Sequence, residues 1–548
     1  MWWGMRCADQ PNVLPMTSPE GLEHVSAFAP FRVRAFKWLW VGIVLSSVGA
    51  WAQMVGAQWL FINDPNAATI ISLVQTATVL PMVLFGLVAG VLADAFDRRR
   101  LLLFVQIYFL LVALALAVLT WLDRMPPLLL LAFTFLIGIG SALQVPTWQP
   151  LITELVPRSQ IAQATRLDMV SVNVARAVGP AIAGLVIAAW GVPPVFLLTA
   201  TCTLFLIGAL LAWRRPAEAP RARERFLPAL RAGGRYVRHE PVVRLILVRL
   251  AVFVAPATAM WTLLPLIANR QLGLGASGYG LLFAALGVGA VIAAFSLGRI
   301  TRHLSGNQVL SWSAVLYGFA FALTMVVPGL LTAVPLLLVL GFGWTATAST
   351  LNAELQLYLP GWVRARALAV YLMVFTGAQA VAAPIWGLIA QHSGLGTAVW
   401  VASGLVVVGG LVGFAWHFPE SEGLDRSPLV YWGDAQVLYS PEPDAGPVQV
   451  MVEYVVPAGQ VDPWLIAMED MRRSRLRSGA MRWELYRVGE RADTYLEIFA
   501  VPSWQEHLHQ HEQRLTVQDQ EIEQRALGFS IRPPVAVHLL PPPEPDAS

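Results

Sequence analysis

Twelve apolar stretches of about 20 residues recur between residues 36 and 417, and they leave this chain few ways to fold. They lie near 36–61, 69–93, 101–122, 127–153, 167–190, 193–213, 243–268, 278–298, 308–327, 330–353, 367–390 and 396–417. Each is long enough, as a helix, to cross roughly 30 Å of hydrocarbon. Backbone groups in lipid must find partners inside their own segment, and the alternating pattern of a membrane barrel strand is absent, so the spans are predicted to be helices. Composition agrees: 56% of residues are hydrophobic and 13% are charged, against about a quarter charged in soluble proteins. The expected fold is an all-α membrane protein of twelve transmembrane helices in two six-helix halves, followed by a small α+β domain.

Arginines set the orientation. With the amino terminus inside, Arg32, Arg34, Lys37, Arg98, Arg99, Arg100, Arg158, Arg166, Arg299, Arg302, Arg364 and Arg366 all fall on the inner side, and only Arg124 and Arg270 fall outside. An even span count then puts both termini in the cytoplasm. The reading by segment is a leader at 1–35, a first half at 36–213, an arginine-rich linker at 214–242, a second half at 243–417, a linker at 418–447 and a domain at 448–542. The leader lacks a continuous apolar core with a cleavage site and is expected to be retained.

Residues 1–418 carry 26 Lys or Arg against 13 Asp or Glu, whereas 419–548 carry 11 against 21. A basic membrane body thus precedes an acidic, water-soluble tail. Cys7 and Cys202 lie far apart and in unlike surroundings, which excludes a disulfide framework. The single lysine, Lys37, is flanked by Phe36 and Trp38, so the Gly-Lys-Ser/Thr phosphate loop of an ATP-driven pump is missing. Energy is expected from a gradient or from another subunit.

An offset of 203 residues superposes one half on the other. Pro157 pairs with Pro360, and Ala175, Val178, Gly184 and Gly191 pair with Ala378, Val381, Gly387 and Gly394. Such repeats are the common architecture of secondary transporters.

After the second stretch the chain reads Gly90-Val-Leu-Ala-Asp94-Ala-Phe-Asp97-Arg98-Arg99-Arg100. Gly90 would permit close helix approach, and Asp94 could pair with an arginine such as Arg98 or cap helix amides; a plain positive loop is the simpler alternative. This run resembles the loop signature between spans two and three of the major facilitator superfamily, with Asp97 where glycine is usual. Trp148-Gln-Pro-Leu-Ile-Thr-Glu154-Leu-Val-Pro157, Asn173-Val-Ala-Arg176-Ala-Val-Gly179-Pro180-Ala-Ile-Ala-Gly184 and Pro360-Gly-Trp-Val-Arg364 resemble its transmembrane secretion effector branch over roughly residues 32–417. The resemblance implies a secondary exporter of small organic molecules, siderophore-like or drug-like, that works by alternating access without a cofactor. The rival reading is a membrane-bound sensor or assembly protein with a vestigial transporter fold; an intact polar cavity would separate the two.

Charges at membrane depth are costly and are therefore functional candidates. Arg176 either holds an anionic or catecholate-like cargo or is satisfied by helix carbonyls and Asn173, while Gly179, Pro180 and Gly184 form a helix-packing motif. Asp168, Glu154 and Glu354 could take a coupling proton. Gln53, Gln75, Gln144, Gln149, Asn352 and Gln379 are neutral polar residues in the spans, where such groups more often hold helices together than bind cargo, and Gln53 and Gln144 are the two offered as substrate contacts.

In the tail, Val448–Val456 alternates like a strand, Asp462–Arg477 reads as a helix, strands follow at Met481–Val488 and Thr494–Val501, then a helix from Ser503 to about Leu527 and a strand near Pro534–Leu540. The order is ferredoxin-like, and the segment resembles the antibiotic-biosynthesis monooxygenase-like domain, which implies pairing with a second copy. His507 and His511 share a helix face as a metal pair would. A helix rich in Gln, Glu and Arg more often places such histidines on solvent or a dimer face, so no metal or haem is expected. No dedicated cofactor site is visible, so no enzyme activity is expected, and no nucleic-acid partner is expected either.

Overall fold

The computed structural model describes residues 26–213, 226–418, 429, 437, 438 and 441–542, with backbone only at Asp94 and at residues 226–232. Most of the leader, residues 214–225 of the arginine-rich linker and most of the second linker therefore lie outside the described residues. In the first half α1 is Arg34–Trp59, α2 Ala67–Ala95, α3 Arg98–Trp121, α4 Pro127–Leu155, α5 Ile161–Trp190 and α6 Pro193–Ala212. A further helix, α7 (Phe226–His239), occupies the end of the arginine-rich linker. The second half holds α8 (Pro241–Leu266), α9 (Ala276–Ile300), α10 (Gly306–Leu323), α11 (Gly329–Tyr358), α12 (Gly361–His392) and α13 (Leu395–Ala415).

Local chemistry places the helix ends. Asp97 caps α3, its carboxylate accepting from the Arg100 N–H at 2.8 Å, and Pro127 and Pro241 sit at first-turn positions where a missing N–H costs nothing. Ser305 and Gln308 cap α10 reciprocally. Eleven of these helices are long and apolar enough to cross a membrane. The expected stretch at 308–327 is the exception, because α10 has 18 residues and spends its first turn on Asn307 and Gln308.

The repeat offset survives in the helix register. Moving α4 by 203 positions gives 330–358 against Gly329–Tyr358, and moving α6 gives 396–415 against Leu395–Ala415. The halves meet through α5 on α9 and, symmetrically, α12 on α2.

In the tail, β1 (Val448–Val455), β2 (Arg482–Arg487), β3 (Thr494–Val501) and β4 (Val535–Leu539) form an antiparallel sheet in the order β2-β3-β1-β4. Helix α14 (Val461–Ser478) covers one face with Trp464, Met468 and Met471. The single helix expected over 503–527 is instead α15 (Trp504–His509), a π turn over Gln510–Arg514 and α16 (Val517–Leu527). Leu515 is extended there, and Thr516 with Asp519 starts the next helix with a capping box. The other sheet face presents Met451, Ile498, Val537 and Leu539, the last two of them exposed.

Candidate transport site

Close contacts between the halves gather at the end of the bundle away from the arginine-rich loops. Tyr279 donates to Gln58 at 2.5 Å and stacks on Trp59; Gln391 donates to the Pro65 carbonyl at 2.9 Å and Thr76 to that of Ala380 at 3.2 Å. Gly184 lets α5 reach α9: a Cβ there would stand 2.6 Å from the Ala276 carbonyl oxygen and 3.0 Å from the Gly280 Cα. Towards the arginine-rich end Leu84 and Val88 on α2, Met169 on α5 and Ile292 and Phe295 on α9 are exposed. Small residues thus seal one end of the interface, by the close backbone approach that glycines permit.

Beneath that seal, a cavity of about 270 Å³ lies within the first half. Gln53, Ser47, Trp51 and Met54 of α1, Thr78 of α2, Phe109 of α3 and Ser141 and Gln144 of α4 line it. Gln53 and Gln144, named from the sequence alone, thus share one apolar chamber with a few hydroxyls, the usual composition of a small-molecule site. Trp51 is the hinge between chamber and interface. Its ring lies 6.4 Å from that of Trp261 and 5.8 Å from that of Phe283, and Trp261 continues to Trp344 at 5.3 Å and thence to Phe375 at 5.8 Å.

Arg176 stands over Trp51, with its guanidinium carbon 5.4 Å from the ring centre. Helix α5 begins six residues earlier than the expected span, so Arg176 falls halfway along it. Its buried Nε has no hydrogen-bond partner, and no carboxylate among the described residues pairs with it. Asn173 does not serve it, donating instead to the Met169 carbonyl at 2.8 Å. Gly179 brings α5 against α1 within the same half, a Cβ there meeting the Val48 carbonyl oxygen at 2.8 Å, and the Pro180 carbonyl faces Gly280 across the interface.

The remaining expected residues form links at the arginine-rich end. Arg98 donates to Glu154 at 2.6 Å, tying α3 to α4. Arg99 donates to the carbonyls of Leu210 and Leu211 at 2.9 and 3.1 Å, closing the open end of α6. Trp148 donates to Asp168 at 2.8 Å, and Glu354 lies against Gly306 at the head of α10. Gly90 has open space where a side chain would be, so the close helix approach expected there is absent. The Asp94 side chain lies outside the described residues.

The family model for transmembrane secretion effectors matches residues 25–542. The chain belongs to that family. The staphyloferrin A transporter of Staphylococcus aureus is 26% identical over 288 residues, 52% of this chain and 72% of that protein. The enterobactin exporter EntS of Salmonella typhimurium is 27% identical over 326 residues, 59% and 78% respectively. Among solved structures, a bacterial homologue of the human lysosomal transporter Spinster, inward-facing and unoccupied, covers 70% of this chain and 97% of its own at 14% identity with a TM-score of 0.58. An inward-facing bacterial homologue of the iron transporter ferroportin covers 70% and 98% at 15% identity with a TM-score of 0.56. This secretion effector is accordingly a multi-pass membrane protein of the major facilitator superfamily and a transporter of small molecules rather than an enzyme.

Three features of this transporter escaped sequence reasoning. Arg249 in α8 is one: it donates to Asn307 at 2.7 Å and to the Gly413 carbonyl at 2.5 Å, and packs over Phe418 at 5.1 Å. Another is the aromatic run from Trp51 to Phe375, whose members come from five helices. The third is the seam that docks the tail. Glu240, between α7 and α8, accepts from Tyr358 at 2.6 Å and from Arg477 at 2.7 Å, all three buried. Arg477 also pairs with Asp519 at 2.7 Å, and Arg514 stacks on Trp362 at 5.0 Å. Asp519 further accepts from Ser474 and Thr516. Burial alone would raise the Asp519 carboxyl, but Arg477 and these hydrogen bonds outweigh it and hold it below the usual range.

Proposed function

We propose that this protein exports small organic molecules, siderophore-like and anionic or rich in π surface, from the cytoplasm across the inner membrane by alternating access. The observation that carries this reading is the lone Arg176, set on Trp51 at the wall of a chamber lined by Gln53 and Gln144. Arg176 is half-buried and its buried Nε has no partner, which is costly, and an anionic ligand would supply an acceptor. The preserved chamber favours transport over a vestigial fold serving a sensor. The cargo types come from the relatives' names, staphyloferrin A and enterobactin.

In this reading α10 completes twelve spans, both termini face the cytoplasm, and the sealed end of the interface is periplasmic, so the conformation is inward-facing. The two inward-facing structural neighbours support that assignment of state. Rocking of the halves opens the seal, and an ion gradient drives the cycle, with Asp168, Glu154 and Glu354 as the carboxylates available to a proton. Asp94 pairs with an arginine across the inner face when that face closes. The tail is read as ferredoxin-like, pairing with a second copy through the face that bears Met451, Ile498, Val537 and Leu539.

Inverted membrane vesicles test the function. Gradient-dependent uptake of at least one member of a panel of siderophores, macrolides and dyes is expected. No uptake across the panel by protein that is folded and abundant would reject it.

A further inference from the structure

The tail brings together three histidines that sequence spacing could not unite. His507 in α15 and His511 in the π turn stand one turn apart, and His538 arrives from β4, about thirty residues on. The three ligand nitrogens lie within 4.8 Å of one another. His507 Nε2 is 3.1 Å from His511 Nε2 and 3.0 Å from His538 Nε2. His507 is fully buried and the other two are half-buried, so the cluster sits at the rim of the domain with one side open to exchange.

Hydrogen bonding does not account for this convergence. A ring nitrogen carries either one proton or one lone pair, so His507 Nε2 cannot satisfy both neighbours, whichever tautomer it adopts. Its one proton or lone pair points along a single direction, so at least one of the two short contacts lacks a well-aligned hydrogen bond. A cation in their midst removes that conflict, because all three Nε2 atoms then present lone pairs to it. Nitrogens disposed tetrahedrally at 2.0–2.1 Å from an ion stand about 3.4 Å apart, against 3.1 and 3.0 Å for the two spacings from His507, with all three atoms within 4.8 Å.

The protonation and the packing agree with that role. Burial, reinforced by His511 and His538, pushes His507 down to about 3, so its imidazole is neutral and able to coordinate at physiological pH. His538 is also lowered by burial. Trp504 packs on both rings, 5.5 Å from His507 and edge-on at 5.9 Å from His538, which fixes their planes. The other His507 nitrogen, Nδ1, and the neighbouring Gln510 Oε1 are both buried without a hydrogen-bond partner. Metallation at Nε2 would place the proton on Nδ1, beside that acceptor, in the arrangement typical of metal-bound histidine.

We propose that His507, His511 and His538 hold a divalent first-row transition metal ion through their Nε2 atoms, with a coordination position left open on the exposed side. Three neutral imidazoles suit zinc and ferrous iron and are poor ligands for magnesium or calcium. The site lies far from the transport chamber and does not depend on the transport reading.

The test uses the full chain in detergent, without a polyhistidine tag, stripped by chelator and titrated with Co²⁺ as an optical probe and Zn²⁺ as competitor. One equivalent of Co²⁺ per chain should give visible ligand-field bands that Zn²⁺ abolishes. His511→Gln and His538→Gln, both at the rim, should weaken binding by more than about 100-fold, beyond what loss of a supporting residue causes. His509→Gln, on the same helix but outside the cluster, should bind as wild type. Absence of stoichiometric binding by the wild-type chain overturns the proposal, as does unchanged affinity in a His538→Gln protein that elutes like wild type. Should a variant aggregate, the wild-type stoichiometry decides.

Discussion

Each half of the bundle holds a half-buried arginine, Arg176 in α5 and Arg249 in α8, and the two are accommodated in opposite ways. Arg249 has a side-chain oxygen, a backbone carbonyl and an aromatic face around its guanidinium. Arg176 has the face of Trp51 and, among the described residues, no acceptor for its buried Nε. The two are not repeat counterparts, because the 203-residue offset sets Arg176 against Gln379 of α12 and Arg249 lies in the first helix of its half, so helix position and partners both differ. A satisfied charge is a structural tie, whereas the proposed function makes the unsatisfied one beside the chamber a ligand contact. The tail extends the asymmetry, since its seam is built on Glu240, Tyr358 and Trp362, all beside the second half.

The largest expected effect tests the first member of this pair. Arg176→Met should lower vesicle uptake by about 100-fold or more, the range for losing a charged partner of a buried anion, with a thermal midpoint in detergent within a few degrees of wild type. Arg176→Lys should keep part of the uptake. Full transport by Arg176→Met breaks the contrast.

For Arg249 the order of effects reverses. Arg249→Met leaves the Gly413 carbonyl without its donor and Asn307 Oδ1 with only the Phe418 N–H at 3.3 Å, and should cost about 2–4 kcal/mol, seen as an earlier detergent melt. Transport per folded molecule should stay near wild type. An Arg249→Met protein that is stable but inactive would make both arginines functional and erase the comparison.

A smaller effect is expected at the seam. Arg477→Met strands Glu240 and Asp519 as buried carboxylates, a loss of about 3 kcal/mol by analogy with broken buried pairs. It should speed proteolytic cleavage between the membrane body and the tail while leaving the helices intact. Unchanged cleavage would show that the tail is not held by this pair.

The smallest effect is one of pH. Asp519 is held below its unfolded value, so its contribution is present in full above the ordinary aspartate range and is lost as pH falls through the lowered folded value. Tail docking, followed by the same proteolysis, should be constant from neutrality down to about pH 5 and loosen only below about pH 4. Asp519→Asn should flatten that acid response.

Part of the chamber was legible before the structure. Gln53 and Gln144 are two of the six neutral polar residues singled out in the spans, and only packing brings these two to one chamber, whereas Arg176 is marked by the cost of a mid-span charge. Legibility stopped where a partner was required. Gly90 looked like a packing glycine in its motif, yet no helix comes near it. Arg249 sits in an apolar run where nothing marks it as satisfied until Asn307 and Gly413 arrive from α10 and α13. The expected tail helix broke at Leu515 because Asp519 caps Thr516 and holds Arg477, a bond that links residues 42 positions apart.

What the sequence by itself determined is whatever the solvent and the chain's own periodicity enforce. Apolar stretches of about 20 residues must become helices in lipid, arginines bias which loops share a side, a 203-residue repeat makes two halves, and alternation in the tail makes strands. Tertiary structure alone decided which polar groups meet. It set Arg176 on Trp51, joined His538 to His507 and His511, and brought Glu240 to Arg477. Such pairings depend on contact energies between distant residues, worth a few kcal/mol each and invisible to any local pattern, and so they appear only when the helices and strands are packed.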